Sequence, residues 1–228
     1  MPNDSGRAAA RDTLAYVAPF AVFILFLAFR QALPLDPAIE YPLRAAAVAA
    51  AILVFSRAAV RLAPVRPFAS ALMGIAVFLV WIGPDLLFPG YRSHWLFQNG
   101  ITGSAATSLP EDLRRSCAFL SARVAGSVVL VPVIEELFWR GWLMRYLISP
   151  DFVRVALGAF APLSFWGTAV LFAAEHGPYW DVGLLAGIGY NWWMLRTGSL
   201  ADCILAHAVT NGCLAAYVLH SGRWEYWL

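Results

Sequence analysis

Lysine is absent from these 228 residues: all 16 basic side chains are arginine, and with 14 acids the charged residues make up only 13%. Soluble chains carry about 25%, so this scarcity excludes an ordinary water-soluble enzyme, a disordered chain and a coiled coil. The arginines form no cluster or stripe that could track a nucleic-acid backbone, so nucleic acid is not an expected partner. Cysteine is scarce too. Cys117, Cys203 and Cys213 are an odd set, each in or beside an apolar stretch. That excludes a secreted disulfide framework and leaves them as small buried hydrophobes. What is present in excess is apolar: 61% of residues are hydrophobic and the mean hydropathy is +0.66. Such a chain is built for lipid.

A bilayer core takes about 20 apolar residues to cross as helix. Leu14 to Phe29 is the first such run, flanked by Arg7 and Arg11. The segment Arg30-Gln31-Ala32-Leu33-Pro34 is a poor cleavage site and more spans follow, so a retained helix is expected rather than a signal peptide. Leu43 to Val60 and Phe68 to Leu87 are the second and third spans, and residues 88–112 read as a polar connection. Leu113 to Ile148 is a helical pattern longer than a membrane is thick, stopped by Pro150, with an interfacial piece at Phe152 to Phe160. Pro162 to His176, Tyr179 to Leu195 and Ser199 to Leu219 complete seven spans. Gly183 and Gly187 allow close helix approach, and Trp224, Tyr226 and Trp227 read as an aromatic anchor at the interface. The expected fold is all-α, one integral-membrane domain over 1–228, with three N-terminal spans and an outer loop in 1–112 and core helices in 113–219. Arg57, Arg61, Arg66, Arg145, Arg154 and Arg196 fall on the side of the N-terminus, which the positive-inside rule makes cytoplasmic, with the C-terminus outside. No internal repeat suggests an inverted-repeat transporter.

An ionisable residue inside a span costs about 2.5–3.5 kcal/mol and asks for a partner or a task. In Glu135-Glu136-Leu-Phe-Trp-Arg140, Glu136 and Arg140 have the spacing and order of a helical ion pair. Glu135 points about 100° away, without a partner in its own helix. A wet helix end would equally explain both acids. Phe172 and His176 share a face, so the ring can steady the imidazole; Glu175 points elsewhere, as a rim residue. His207 and Asn211 also share a face, and two such donors can stabilise an oxyanion or simply bond to a neighbouring helix. If residues 149–161 lie along the cytoplasmic interface, Glu135 and His176 come out level, each roughly 21 Å deep, with His207 at roughly 12 Å. Pro162 argues against a straight helix from 152 to 176, which would separate them. Asp85 reads as a wet helix end, and Asp202 as an N-terminal cap near the start of the last span.

Glu135-Glu136-x-x-x-Arg140, Phe172-x-x-x-His176 and His207-x-x-x-Asn211, in that order on three membrane helices, resemble the CAAX-protease and bacteriocin-processing family of glutamic intramembrane proteases. The resemblance covers roughly residues 115–215, and the N-terminal spans are similar to a short bacterial subgroup of CAAX prenyl protease-related proteins. It implies an endopeptidase of the bacterial inner membrane acting on a membrane-associated protein or peptide, with no cofactor and no metal. Glu135 would be the general base and His176 would help hold the water. His207 and Asn211 would form the oxyanion hole, with Glu136, Arg140 and Phe172 in support. Glu175 is an extra acid beside the site histidine. Neither a Gly-x-Ser-x-Gly elbow nor a His-Glu-x-x-His zinc motif is present. Two other readings stay open: a membrane metalloprotease using the same glutamates and histidines, and a non-enzymatic scaffold or transporter subunit. The sequence does not identify the substrate or the oligomeric state.

Overall fold

The computed structural model describes residues 4–30, 32, 35–107 and 109–227, with side chains from residue 9 onward. Gln31, Leu33, Pro34 and the Arg7 side chain, used above to read the N-terminal flank, lie outside the described residues. Within them the architecture is helical and no strand occurs. Seven principal helices follow in order: α1 Asp4–Phe29, α2 Pro37–Ser56, α3 Pro67–Leu87, α4 Cys117–Tyr146, α5 Pro162–Ala174, α6 Trp180–Thr197 and α7 Leu200–Ser221. Five of them, α1 to α4 and α7, are long and apolar enough to cross a membrane. The chain is an integral membrane protein.

Local chemistry sets the boundaries. Asp36 caps α2, its carboxylate accepting from the Ala38 amide at 2.8 Å with Pro37 at the first helical position. Ser116 caps α4, so the expected unbroken helix from Leu113 is in fact a single turn, Glu111–Arg114, then a break, then 30 residues from Cys117. At 1.5 Å per residue α4 is about 45 Å long, more than a bilayer core needs. The second span ends at Ser56 rather than Val60. The interfacial piece is a short 3₁₀ turn, Phe152–Arg154, and irregular chain. Pro162 opens α5 as its spacing required. That helix has only 13 residues, about 20 Å, and stops short of a full crossing, leaving Glu175 and His176 in the turn to α6. Gly198, at φ 59°, takes the left-handed conformation that ends α6 and turns the chain into α7.

Packing is inside out relative to a soluble protein. Leu53, Val54, Phe68, Leu79, Val129, Leu163 and Val170 point outward, while Glu135, Glu136, Arg140, Ser164, Thr168, Asn191, Asp202, His207 and Thr210 are buried. In lipid the outward apolar groups cost nothing, and the polar groups must find one another inside. The expected close approach occurs: a Cβ on Gly187 would sit 3.2 Å from the Ala169 backbone, so α5 and α6 touch along their small residues. The N-terminal helices brace α4, with Phe20 of α1 stacked on Phe138 at 4.4 Å.

Three single-residue expectations are corrected. Cys117 is exposed, because it opens α4 at the bundle rim, although Cys203 is buried as expected. Asp85 is no wet helix end. It pairs with Arg92 at 3.2 Å and accepts from the Tyr226 hydroxyl at 2.9 Å. The cap of α7 is Ser199, which accepts from the Asp202 amide. Asp202 is buried and accepts from the amides of Val65 and Arg66 at 2.7 and 2.8 Å and from the Ser70 hydroxyl at 2.7 Å, so it fixes the α2–α3 loop and the start of α3 against α7. Charge-assisted bonds contribute about 1.5–3 kcal/mol each. Asp202→Ala should therefore lower stability by about 3 kcal/mol, read as an earlier thermal unfolding transition in detergent, with Asp202→Asn intermediate; an unmoved transition would refute this anchor.

Candidate active site

The acids sit in the middle of α4, on a regular stretch, Val131–Glu136, between two wide turns, Gly126–Leu130 and Leu137–Leu143. Pro132 has no amide hydrogen to give to the helix ladder, and wide i→i+5 turns re-aim the side chains around them. Glu135 and Glu136 diverge as neighbours on a helix must, yet both point inward, 7% and 0% exposed. A wet helix end describes neither.

Glu136 is the hub. It accepts from Arg140 at 3.1 Å, the expected four-residue ion pair, and lies 2.9 Å from Nδ1 of His207. An ionised carboxylate only accepts, so Nδ1 carries the proton of that contact. The other ring nitrogen, Nε2, then lies 4.0 Å from Glu135. Each nitrogen of the Arg140 guanidinium has a partner. Its Nε donates to Asn191 Oδ1 at 3.0 Å and Nη2 to the Gly187 carbonyl at 3.3 Å, and its plane lies 4.6 and 5.3 Å from the rings of Phe172 and Tyr190. Asn191 in turn donates to the Phe165 carbonyl at 2.7 Å. One ion pair thus ties α4 to α5, α6 and α7.

His176 lies just past α5, its Nδ1 2.7 Å from the Phe172 carbonyl oxygen. A carbonyl only accepts, so Nδ1 is protonated and Nε2 keeps its lone pair. Phe172 and Trp81 pack on the ring at 4.7 and 5.1 Å, and Gly183 makes room for it, since a Cβ there would come within 3.2 Å of the imidazole. His207 stacks on Tyr190, 5.1 Å between centroids and 22° between planes. The Tyr190 hydroxyl donates to Thr210, itself bonded at 2.8 Å to the Gly74 carbonyl. Asn211 gives one amide hydrogen to the Ser127 carbonyl at 2.8 Å and keeps a second.

Glu135, His176, His207 and Asn211 line one cavity of about 180 Å³. Phe172, Tyr190, Trp81 and Ser127 also line it, together with Tyr226 and Trp227. Oε2 of Glu135 is buried with no hydrogen-bond partner, and a Glu135 oxygen lies within 4.8 Å of ligand atoms of both His176 and Glu175. A wider cavity of about 490 Å³ shares Trp81, His176 and Tyr226 and is lined by Glu175 and the loop at Thr102, Gly103 and Ser104. It extends the site toward the end of the bundle where the tail lies.

The structure brings together all four residues expected at the site, and the supporting Glu136, Arg140 and Phe172 beside them. Glu136 does more than the ion pair suggested, since it also holds His207. Glu175 is on the rim as expected but does not point away; its carboxylate accepts from Trp139 Nε1 at 3.1 Å and belongs to the Glu135–His176 group. The aromatic tail is corrected as well. Tyr226 and Trp227 are buried, because Thr107 donates to the Trp227 carbonyl and Tyr226 to Asp85, so the tail folds back over the cavity instead of anchoring in headgroups. Trp81, Tyr190 and Asn191 carried no spacing signal, although Asn191 is a polar residue in a span and could have been flagged on that ground alone.

Residues 118–213 match the family model for type II CAAX prenyl endopeptidase Rce1-like proteins. That stretch holds Glu135, Glu136, Arg140, His176, His207 and Asn211, and by this match it is similar to the CAAX proteases, a family of peptide hydrolases. No curated protein and no solved structure matches the chain.

Removing one partner of a buried ion pair costs about 3–5 kcal/mol, while replacing both with apolar groups costs far less. Arg140→Met should destabilise the protein by that amount in detergent unfolding, and Glu136→Leu added to it should recover part of the loss. A double variant no more stable than the single one would sink this account.

Proposed function

We propose that the protein is an intramembrane endopeptidase in which Glu135 activates the water that hydrolyses a peptide bond of a membrane-associated substrate. The observation that carries the reading is the Glu135 carboxylate. It is buried, its Oε2 is unpartnered, and it opens into a cavity that also presents His176, His207 and Asn211.

In this mechanism Glu135 takes one proton of the water as the oxygen attacks the carbonyl carbon. The lone pair of His176 Nε2 accepts the water's other hydrogen and aims it. The tetrahedral oxyanion is met by the second amide hydrogen of Asn211 and, when the ring carries both protons, by Nε2–H of His207, with Glu136 behind Nδ1 fixing the ring. As the C–N bond breaks, Glu135 returns its proton to the leaving amine, so no covalent intermediate forms. The family name points to a CAAX-type substrate, and a prenylated C-terminal peptide is the first candidate to offer. The arginine distribution supports a cytoplasmic N-terminus and an external C-terminus, and a bacterial inner membrane is the setting of this reading.

A second reading has its own observation. Glu135, Glu175 and His176 present carboxylate and imidazole atoms within 4.8 Å of one another, a donor set that suits a divalent ion such as zinc. The His176 contact to a backbone carbonyl is the usual outer support of a ligating imidazole. A metal there would polarise the scissile carbonyl or the attacking water.

Mass spectrometry of membrane-protein termini, comparing cells with wild type and with Glu135→Gln, tests the first reading. The carboxamide keeps the shape and loses the base, so cleavage should fall roughly 10²–10⁴-fold. Termini unchanged by Glu135→Gln would overturn it. Activity of the purified protein should also survive chelators; loss on chelation with recovery on adding zinc would favour the metal reading instead.

A further inference from the structure

With Tyr226 and Trp227 folded over the cavity, a different aromatic set faces outward at that end of the bundle, on the connection after α3. Its rings form a continuous series that starts where α3 ends among exposed apolar residues. Phe88 lies 6.4 Å from Tyr91, Tyr91 4.7 Å from Phe97, Phe97 6.5 Å from His94, and His94 5.8 Å from Trp95. Phe97 is buried and also stacks at 5.9 Å on Trp180, the first residue of α6. The two ends of the series are open: Phe88 is 61% and Trp95 68% exposed.

Beyond Trp95 the chain turns through a tight hairpin with Ile101 near its tip, 97% exposed. The hairpin is firmly built. Asn99 and Gly103 exchange both backbone bonds, at 3.2 and 2.9 Å. The Asn99 side-chain oxygen accepts from the amides of Ile101 and Thr102 at 2.8 and 3.0 Å, and its amide donates to the Trp95 carbonyl at 2.8 Å. The amides of Asn99, Ile101, Thr102 and Gly103 therefore have internal partners, as a segment lying against lipid requires. Trp180 Nε1 donates to the Leu96 carbonyl at 3.0 Å, and the Thr102 carbonyl passes so close to Gly177 that a Cβ there would come within 2.9 Å. The loop is thus fixed on the α5–α6 turn. Between Arg92, which is paired with Asp85 and Asp181, and Glu111 the sequence has no acid and no arginine. An uncharged loop that shows tryptophan, leucine and isoleucine has the composition of a membrane–water boundary.

We propose that residues 93–104 lie in the membrane interface, with Trp95 and Leu96 at the headgroup level and Ile101 reaching the start of the acyl chains. This loop, rather than the tail, would anchor that end of the bundle. The partner is the lipid surface because the ring series continues the exposed apolar end of α3, Leu86 to Phe88, which already faces the bilayer. The exposed Ser93, Gln98 and Ser104 keep the loop out of the hydrocarbon core. Thr102, Gly103 and Ser104 of the same hairpin line the wider cavity that leads to His176, so an anchored tip would hold the mouth of that cavity at the headgroup level. The loop would take this place whether or not Glu135 hydrolyses a peptide.

The full chain carrying Ile101→Cys, labelled with bimane and reconstituted in phosphatidylcholine nanodiscs, tests this placement. Cys117→Ser removes the exposed native thiol, and the signal of the same chain without Ile101→Cys is subtracted. Lipids with a nitroxide near the headgroup should quench the label several-fold more strongly than aqueous iodide, and more strongly than lipids with the nitroxide at the chain end. Trp95→Cys gives the same readout at a second position should Ile101→Cys fold poorly. Stronger quenching by iodide would put the loop in water and overturn the proposal. Shielding from every quencher would overturn it too, by showing that protein, such as a second copy of the chain, covers the patch. Strongest quenching from the chain end would place the loop in hydrocarbon and overturn the interfacial depth.

Discussion

A single carboxylate, Glu136, fully buried between a guanidinium and an imidazole, is the constraint from which the rest of the core follows. A buried pair repays its desolvation only when its remaining donors and acceptors are satisfied. Here the guanidinium is met by Asn191, the Gly187 carbonyl and two aromatic rings, each on a different helix from the pair itself, while both bonds to Glu136 fall on Oε1 and its Oε2 has no hydrogen-bond partner. The electrostatic requirement is therefore also a packing requirement: α5 and α6 must lie against α4, and α7 must present His207. Those same contacts leave Nε2 of one histidine and the unpartnered oxygen of Glu135 aimed into one cavity.

The matched family stretch holds the charged machinery but not the whole wall. Trp81 comes from α3, and Tyr226 and Trp227 come from the tail, all outside residues 118–213. Their placement depends on a network at the bundle end, where Arg92 pairs with Asp85 and with Asp181 and donates to the Pro178 carbonyl at 2.8 Å. This network joins the long connection after α3, the α5–α6 turn and the tail. The residues of the candidate site are thus enclosed by segments that a reading of the core motifs alone leaves out.

Much of this was legible in the sequence because lipid imposes strict rules. Apolar length marked the long helices, Pro162 marked the start of α5, and the rarity of charge inside spans singled out Glu135, Glu136, Arg140, His176 and His207. Four-residue spacing gave the Glu136–Arg140 pair directly. What escaped was set by contacts between distant segments. Asp85 looked wet because Arg92 and Tyr226, which bury it, are 7 and 141 residues away. The tail looked like an anchor because aromatic composition is the same for a residue at the membrane surface and one folded over a cavity. Glu40 and Arg44 went unremarked, although their four-residue spacing is that of the ion pair they form at 3.3 Å, because the second span was expected to begin only at Leu43.

The two wide turns of α4 carry a consequence for how this helix tolerates change in length. Each absorbs one residue more than a regular turn, and so sets the angular phase between the helix before it and the helix after it. Deleting one residue within Gly126–Leu130 would let the ladder close as regular helix with the stretches on either side still in phase, whereas deleting one from the regular stretch Cys117–Ala125 would swing the start of α4 by about 100° relative to the two glutamates. The wide turn is thus where α4 best tolerates a change of length, and its regular stretches are where it does not.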